Sequence, residues 1–348
     1  MDLGKYNHKI LSENFRDFES VALEVFRFQY ENNPVYHEYV NALQVRPSAV
    51  QSVIQIPFLP IRFFKSHSIQ TTQFDPEVVF ESSGTTGSIN SRHLIRDLSL
   101  YEKSFTTGFE RVYGSLKDWC IIGLLPSYTE RENSSLVYMV NSLVKQSGHP
   151  NSGFYLDEYD MLSETLVNLE KSKQKTILIG VTFALLDFAE KYPVRLNQTI
   201  VMETGGMKGR RQEMIREEVH DQLKKSFNIP VIHSEYGMTE LLSQAYSKAD
   251  GIFHCSPWMK VMIRDDEDPL SVVNLQSAVS SPQSKRPLTT HHSSLTVCGA
   301  INIIDLANIY SCSFIATDDA GKLHNDGSFE VLGRLDNSDL RGCSLMTI

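Results

Sequence analysis

Five short apolar runs constrain this chain more than any other feature: residues 78–80, 119–125, 176–180, 199–202 and 230–233. Helical spacing fills much of what lies between and after them, over residues 99–113, 134–146, 183–191 and 212–227. Strands that alternate with helices in this way imply an α/β fold built on a mostly parallel sheet. Gly148 stands where the second of those helices should stop. Upstream, residues 11–45 read as helical, while 54–64 is apolar but cut by Pro57 and Pro60 into extended pieces and turns. Beyond about residue 255 the pattern changes to short strands at 258–264, 295–306, 312–317 and 328–332. The expected organisation is an α/β core over 1–255, a β-rich subdomain over 256–335 and a tail over 336–348.

Charge and cysteine content narrow the function. The 33 Lys and Arg against 42 Asp and Glu give a net charge of −9, which argues against broad nucleic-acid or anionic-membrane binding. The five cysteines (Cys120, Cys255, Cys298, Cys312 and Cys343) contain no CxxC and fit neither a zinc site nor a disulfide framework. Reduced thiols in a cytoplasmic protein are expected, with Cys298 and Cys312 as buried packing residues in strands. Neither a signal peptide nor a membrane span is expected, since the longest apolar run, 177–186, is too short to cross a bilayer. Residues 276–294 are rich in Ser, Thr, Pro, Gln and His, and read as a solvated loop. His291 and His292 within it read as exposed side chains, with metal binding as the other reading.

Four segments can carry chemistry. Ser82-Ser83-Gly84-Thr85-Thr86-Gly87-Ser88 follows a strand and offers backbone N–H groups and five hydroxyls to an anion; the other reading is a polar turn. It is not a Walker loop, because GxxxxGK[ST] is absent. Glu235-Tyr236-Gly237-Met238-Thr239-Glu240 puts an aromatic face, a glycine, a hydroxyl and a carboxylate at a strand end. Such a set can stack a base, bond a phosphate and hold Mg2+, or simply open a helix. Thr317-Asp318-Asp319-Ala320-Gly321 reads first as a hairpin turn and second as a carboxylate for a ribose. Gly333-Arg334-Leu335-Asp336 is a charged segment near the chain end.

In this order the four segments resemble the adenylate-forming superfamily, with its [ST][ST]G[ST]TG, YGxTE, TGD and GRxxD motifs. The chain is more closely similar to acyl-protein synthetases of the LuxE type through residues 126–137, 202–211, 234–246 and 333–343. The resemblance implies an adenylate-forming large domain of stacked α/β sheets with a smaller C-terminal β-rich subdomain, lacking the mobile C-terminal domain. It implies ATP and Mg2+ as cofactors, a fatty acid as substrate and an acyl reductase as possible protein partner. Ser82, Ser83, Gly84, Thr85, Thr86 and Gly87 would hold phosphates, with Thr86 catalytic. Tyr236 and Gly237 would take adenine, with Gly205 and Gly206 allowing close approach. Thr239 would meet the α-phosphate, Glu240 would ligate Mg2+, and Asp319 and Arg334 would face the ribose. Cys343 would accept the acyl group. Two departures from the family accompany this reading: Arg92 stands several residues after the point where a Lys is usual, and the usual catalytic Lys has no counterpart. A CoA ligase of the phenylacetate type and a non-catalytic nucleotide- or acyl-binding subunit are the alternatives.

Overall fold

The computed structural model describes residues 3–12, 14–82, 89–125, 133–156, 158–205, 214–265, 271–273 and 296–335. The chain divides into two compact units. The first holds Met1–Tyr101, Glu240–Ser243 and His254–Ile348, and the second Glu102–Thr239 and Gln244–Phe253.

The second unit is the α/β layer that the apolar runs predict. Cys120–Leu124, Thr176–Gly180, Thr199–Glu203 and His233–Tyr236 lie side by side as parallel strands. Gly153–Phe154 flanks the first, and Ala245–Ser247 pairs antiparallel with the last. Every residue of Cys120–Leu124 and Thr176–Gly180 is buried, as expected of parallel strands covered on both faces. Ser135–Ser147 is capped by the Ser134 hydroxyl oxygen, which accepts the Val137 N–H, and ends at Gly148 in a left-handed conformation. The run at 230–233 is displaced: the strand begins at His233, and Asn228, left-handed at φ 52°, ends the preceding helix. Pro230 has no N–H for a ladder, so pairing starts where Met202 meets His233. Tyr236 is therefore the last residue of a strand rather than part of the loop after it.

The first unit is built on antiparallel pairs. Met259–Arg264 pairs with Thr296–Asp305, which pairs with Phe314–His324, which pairs with Phe329–Arg334. The N-terminal helices Phe18–Asn32 and Pro34–Ala42 belong to the same unit, separated at Asn33. Pro34 suits a first helical position, and the Asn33 side chain accepts the Tyr36 N–H at 3.1 Å, so the stretch 11–45 breaks there. Phe26, Tyr36, Phe58 and Phe314 cluster with centroids 6.0–6.3 Å apart. Inside this core Gln29 donates to the Asn308 and Ile309 carbonyls and accepts the Ser313 N–H.

Thr317–Gly321 is not a hairpin turn. It lies inside the eleven-residue strand Phe314–His324, where Asp319 faces Arg334 across the ladder and the register shifts between Ala320 and Gly321. Cross-strand cations accommodate carboxylates that isolated β-propensity would reject. Cys312 and Cys120 are buried, but Cys298 is exposed on its strand, against the expectation of a packing residue. Among the described residues no helix is long and apolar enough to cross a membrane.

Candidate active site

In the first unit, Val78–Glu81 and Arg92–Ile95 form an antiparallel pair, and the hydroxyl-rich segment lies between them in the sequence. Its stem is clasped twice: Ser82 N–H donates to the Ser91 carbonyl at 3.0 Å, and Ser91 N–H donates to Ser82 Oγ at 2.9 Å. The Ser91 hydroxyl in turn bonds the Glu240 carboxyl. Burial raises Glu240 above the ordinary carboxylate range; Ser91, its own backbone N–H, and the charges of Arg334 and Lys65 oppose that rise without cancelling it. Arg334 Nε stands 4.0 Å from Asp319 Oδ1, and Arg62 Nε 3.1 Å from Asp318 Oδ2. Arg92 is exposed and faces Glu81 across the strand pair.

The strand carrying Asp319 is anchored from within. The buried Arg264 guanidinium donates to the Ile301 carbonyl and Asn302 Oδ1, both at 2.7 Å, and to the Thr317 carbonyl at 2.6 Å. Thr317 Oγ1 donates to Ile301 at 2.9 Å and accepts the Asp319 N–H at 3.2 Å. Residues distant in the chain (Ser82 and Ser91, Glu240, and Asp319 and Arg334) thus come within hydrogen-bonding or electrostatic reach.

The second unit collects the rest at the carboxyl ends of its parallel strands, the usual ligand edge of an open α/β sheet. Tyr236 is 9% exposed, its ring tilted against Phe253 at 5.9 Å, and the Arg216 guanidinium lies 5.4 Å from the Phe253 centroid. A Cβ on Gly237 would strike the Glu235 carboxyl, so any larger residue after Tyr236 would displace that side chain. Gly205 has φ 75°, its N–H donates to Glu203 Oε1 at 3.0 Å, and its carbonyl accepts the Thr182 N–H at 3.2 Å. The Thr182 hydroxyl also donates to Glu203, and His220 Nε2 stands 3.9 Å from the other Glu203 oxygen.

Two buried carboxyls here behave differently. Burial works to raise Glu203, but His220, Thr182 and Arg216 outweigh it and hold the group below its ordinary value. Burial pushes Glu235 up to about 8, with the Glu203 charge adding to the rise. At neutral pH the pair therefore carries one charge, on Glu203. Nearby, Tyr113 Oη and His233 Nδ1 are 3.1 Å apart; burial raises the phenol well above its ordinary value and, with Lys248, pushes the imidazole down to about 4.

Of the residues chosen from sequence, Ser82, Glu240, Asp319 and Arg334 fall in the first unit, and Gly205, Tyr236, Gly237 and Thr239 in the second. Ser83, Gly84, Thr85, Thr86, Gly87, Gly206 and Cys343 lie outside the described residues. Sequence reasoning assigned no role to Ser91 or Arg264. Glu203 and Glu235 sat inside segments already singled out, and their adjacency to a strand end was the available signal.

Among solved structures, the chain is similar to a luciferase-like enzyme from the mealworm Zophobas morio, at 18% identity over 76% of this chain and 59% of that one, with a TM-score of 0.46. It is also similar to the Bacillus subtilis O-succinylbenzoate coenzyme A synthetase in complex with ATP and magnesium, at 16% identity over 78% and 52%, TM-score 0.48. A third is the anthranilate CoA ligase AuaEII with anthranoyl-AMP, at 15% identity over 74% and 47%, TM-score 0.45. The chain thus spans roughly half the length of these structures. No curated protein matches it. It belongs to the acyl-protein synthetase LuxE family, which it matches over residues 11–347.

Proposed function

We propose that this protein activates a carboxylic acid, a fatty acid, with ATP and then holds the acyl group as a thioester on Cys343 for delivery to a reductase partner. The observation that carries the reading is the meeting of the Ser82–Ser91 stem, Glu240 and the Asp319–Arg334 pair in one unit. In the first step a carboxylate oxygen attacks the α-phosphorus of ATP, pyrophosphate leaves, and acyl-AMP forms. In the second the Cys343 thiolate attacks the acyl carbonyl and AMP departs with the bonding pair. Tyr236 stacks on adenine beside Gly205, Gly206 and Gly237; Ser83, Gly84, Thr85, Thr86 and Gly87 cradle the phosphates with Ser82; Thr239 meets the α-phosphate; Asp319 and Arg334 take the ribose.

Glu240 suits Mg2+. It is a hard oxygen donor, and its raised affinity for a proton marks an interior carboxyl that gains from a cation. Among the described residues no cluster of three or more His, Cys, Asp and Glu could hold a metal. When bound, Mg2+ would neutralise phosphate charge.

The test supplies ATP, Mg2+ and a labelled fatty acid. Label is expected on the wild-type protein, released by neutral hydroxylamine and absent from Cys343→Ala. Acyl-CoA formed from added CoA, undiminished in Cys343→Ala, would instead establish a CoA ligase.

A further inference from the structure

Glu240–Ser243 belongs to the first unit although the chain on either side belongs to the second. What holds these four residues is the end of the strand Thr296–Asp305 and the 3-10 turn Leu306–Asn308 that follows it. Asp305 is fully buried. Its Oδ2 accepts the Leu242 N–H at 2.8 Å and the Ser243 N–H at 3.0 Å. Its Oδ1 accepts the Ser243 hydroxyl at 2.6 Å and the Ala307 N–H at 3.1 Å. Asn308, also fully buried, donates from its side-chain amide to the Glu240 carbonyl at 2.7 Å.

The platform beneath this grip is itself tied down. Asp305 N–H donates to Ser313 at 2.8 Å, Leu306 N–H to Trp258 at 3.0 Å, and the Asn308 carbonyl accepts Gln29 Nε2 at 3.0 Å. Capping the turn requires only the bond to Ala307, a task that a serine or asparagine performs without burying a charge. Oδ2 is spent wholly on the chain two and three residues after Glu240. Burial still pushes Asp305 up to about 6 against four hydrogen bonds, so the donors do not fully repay its desolvation.

We infer that Asp305 is a positioning residue for Glu240, fixing the backbone on both sides of Leu241 together with Asn308 so that the Glu240 carboxyl is preset for its cation. The inference rests on the reading of Glu240 as the Mg2+ ligand. Loss of an outer group that orients a metal ligand typically costs about ten- to a hundredfold in metal affinity.

The test is calorimetric and needs no turnover. ATP affinity is measured with and without Mg2+ for the wild type, Glu240→Gln, Asp305→Ala, Ser243→Ala and Tyr6→Phe. The last removes the Tyr6 hydroxyl bond to the Leu306 carbonyl, on the same turn but away from residues 240–243. Asp305→Ala is expected to lose on the order of tenfold of the Mg2+-dependent gain in affinity, with Mg2+-free ATP binding unchanged. Ser243→Ala, which keeps both backbone bonds, should lose less in the same direction and serves if Asp305→Ala does not fold. Tyr6→Phe should lower the melting temperature and leave the gain intact. If Glu240→Gln loses the Mg2+ gain while Asp305→Ala and Ser243→Ala keep it, or if Tyr6→Phe loses as much as they do, the positioning role is overturned. If Glu240→Gln itself keeps the gain, the metal-ligand reading fails and the inference falls with it.

Discussion

Asp305 in the first unit and Glu235 in the second are both interior carboxyls beside a segment assigned to nucleotide, yet they meet burial differently. Around Asp305 three N–H groups and a hydroxyl converge. Burial raises it only to about 6, so it is ionised at neutral pH. Glu235 has a second carboxylate, Glu203, as its electrostatic neighbour, and Glu203 takes the available partners: Thr182, Gly205 N–H, His220 and Arg216. Glu235 rises to about 8 and keeps its proton. Burial therefore does not decide the charge of a strand-end acid; the supply of donors does. The first unit spends donors to hold an anion in place, and the second keeps one acid neutral beside another.

The sharpest way to break this contrast is at Glu240. Glu240→Gln removes the carboxyl whose backbone Asp305 and Asn308 hold in place. The rate of ATP–pyrophosphate exchange should fall by on the order of 10²–10³-fold, with circular dichroism unchanged. A fall under about threefold would remove Glu240 from the site.

Next comes Tyr236. Loss of base stacking in Tyr236→Ala is worth about 1–3 kcal/mol, read as a rise in KM for ATP with a smaller change in kcat, while Tyr236→Phe should stay near wild type. Equal loss in both would assign Tyr236 to the hydroxyl rather than the ring.

The neutral state of Glu235 is tested by pH. Its folded value of about 8 lies above the ordinary 4.5, so between those limits the folded state binds the extra proton and stability falls as pH rises. Above about pH 8 the loss is complete and the curve levels. The slope is at most about 1.4 kcal/mol per pH unit. Glu235→Gln should flatten it between pH 5 and 8 in urea unfolding, to roughly the remainder due to other groups. An unchanged slope would mean that Glu235 is ionised, and the contrast with Asp305 would vanish. The smallest effect belongs to the exposed pair: Arg62→Ala, which frees Asp318, should cost less than about 1 kcal/mol of stability.

The strands at Cys120–Leu124, Thr176–Gly180 and Thr199–Glu203 were legible because parallel strands covered on both faces are unbroken apolar runs. The strand ending at Tyr236 was shifted by three residues because Val231 and Ile232 look like a strand but follow the helix end at Asn228. Thr317–Gly321 was misread because its Asp and Gly residues depend on Arg334 and Arg62, which lie far from it or on another strand. Asp305 carried no signal at all: among Ile303, Ile304 and Leu306 it is a lone acid, and its partners Leu242 and Ser243 are more than sixty residues away. Cys298 reads as buried from its place in a strand, but strand alternation puts it outward beside the buried Val297.

The central claim is that the chain adenylates a carboxylic acid, and it is tested most directly by acid-dependent exchange of labelled pyrophosphate into ATP. With Mg2+ and a panel of fatty and aromatic acids, exchange should appear with a fatty acid, require Glu240, and persist in Cys343→Ala. No exchange with any acid, with or without an acyl reductase present, would contradict it.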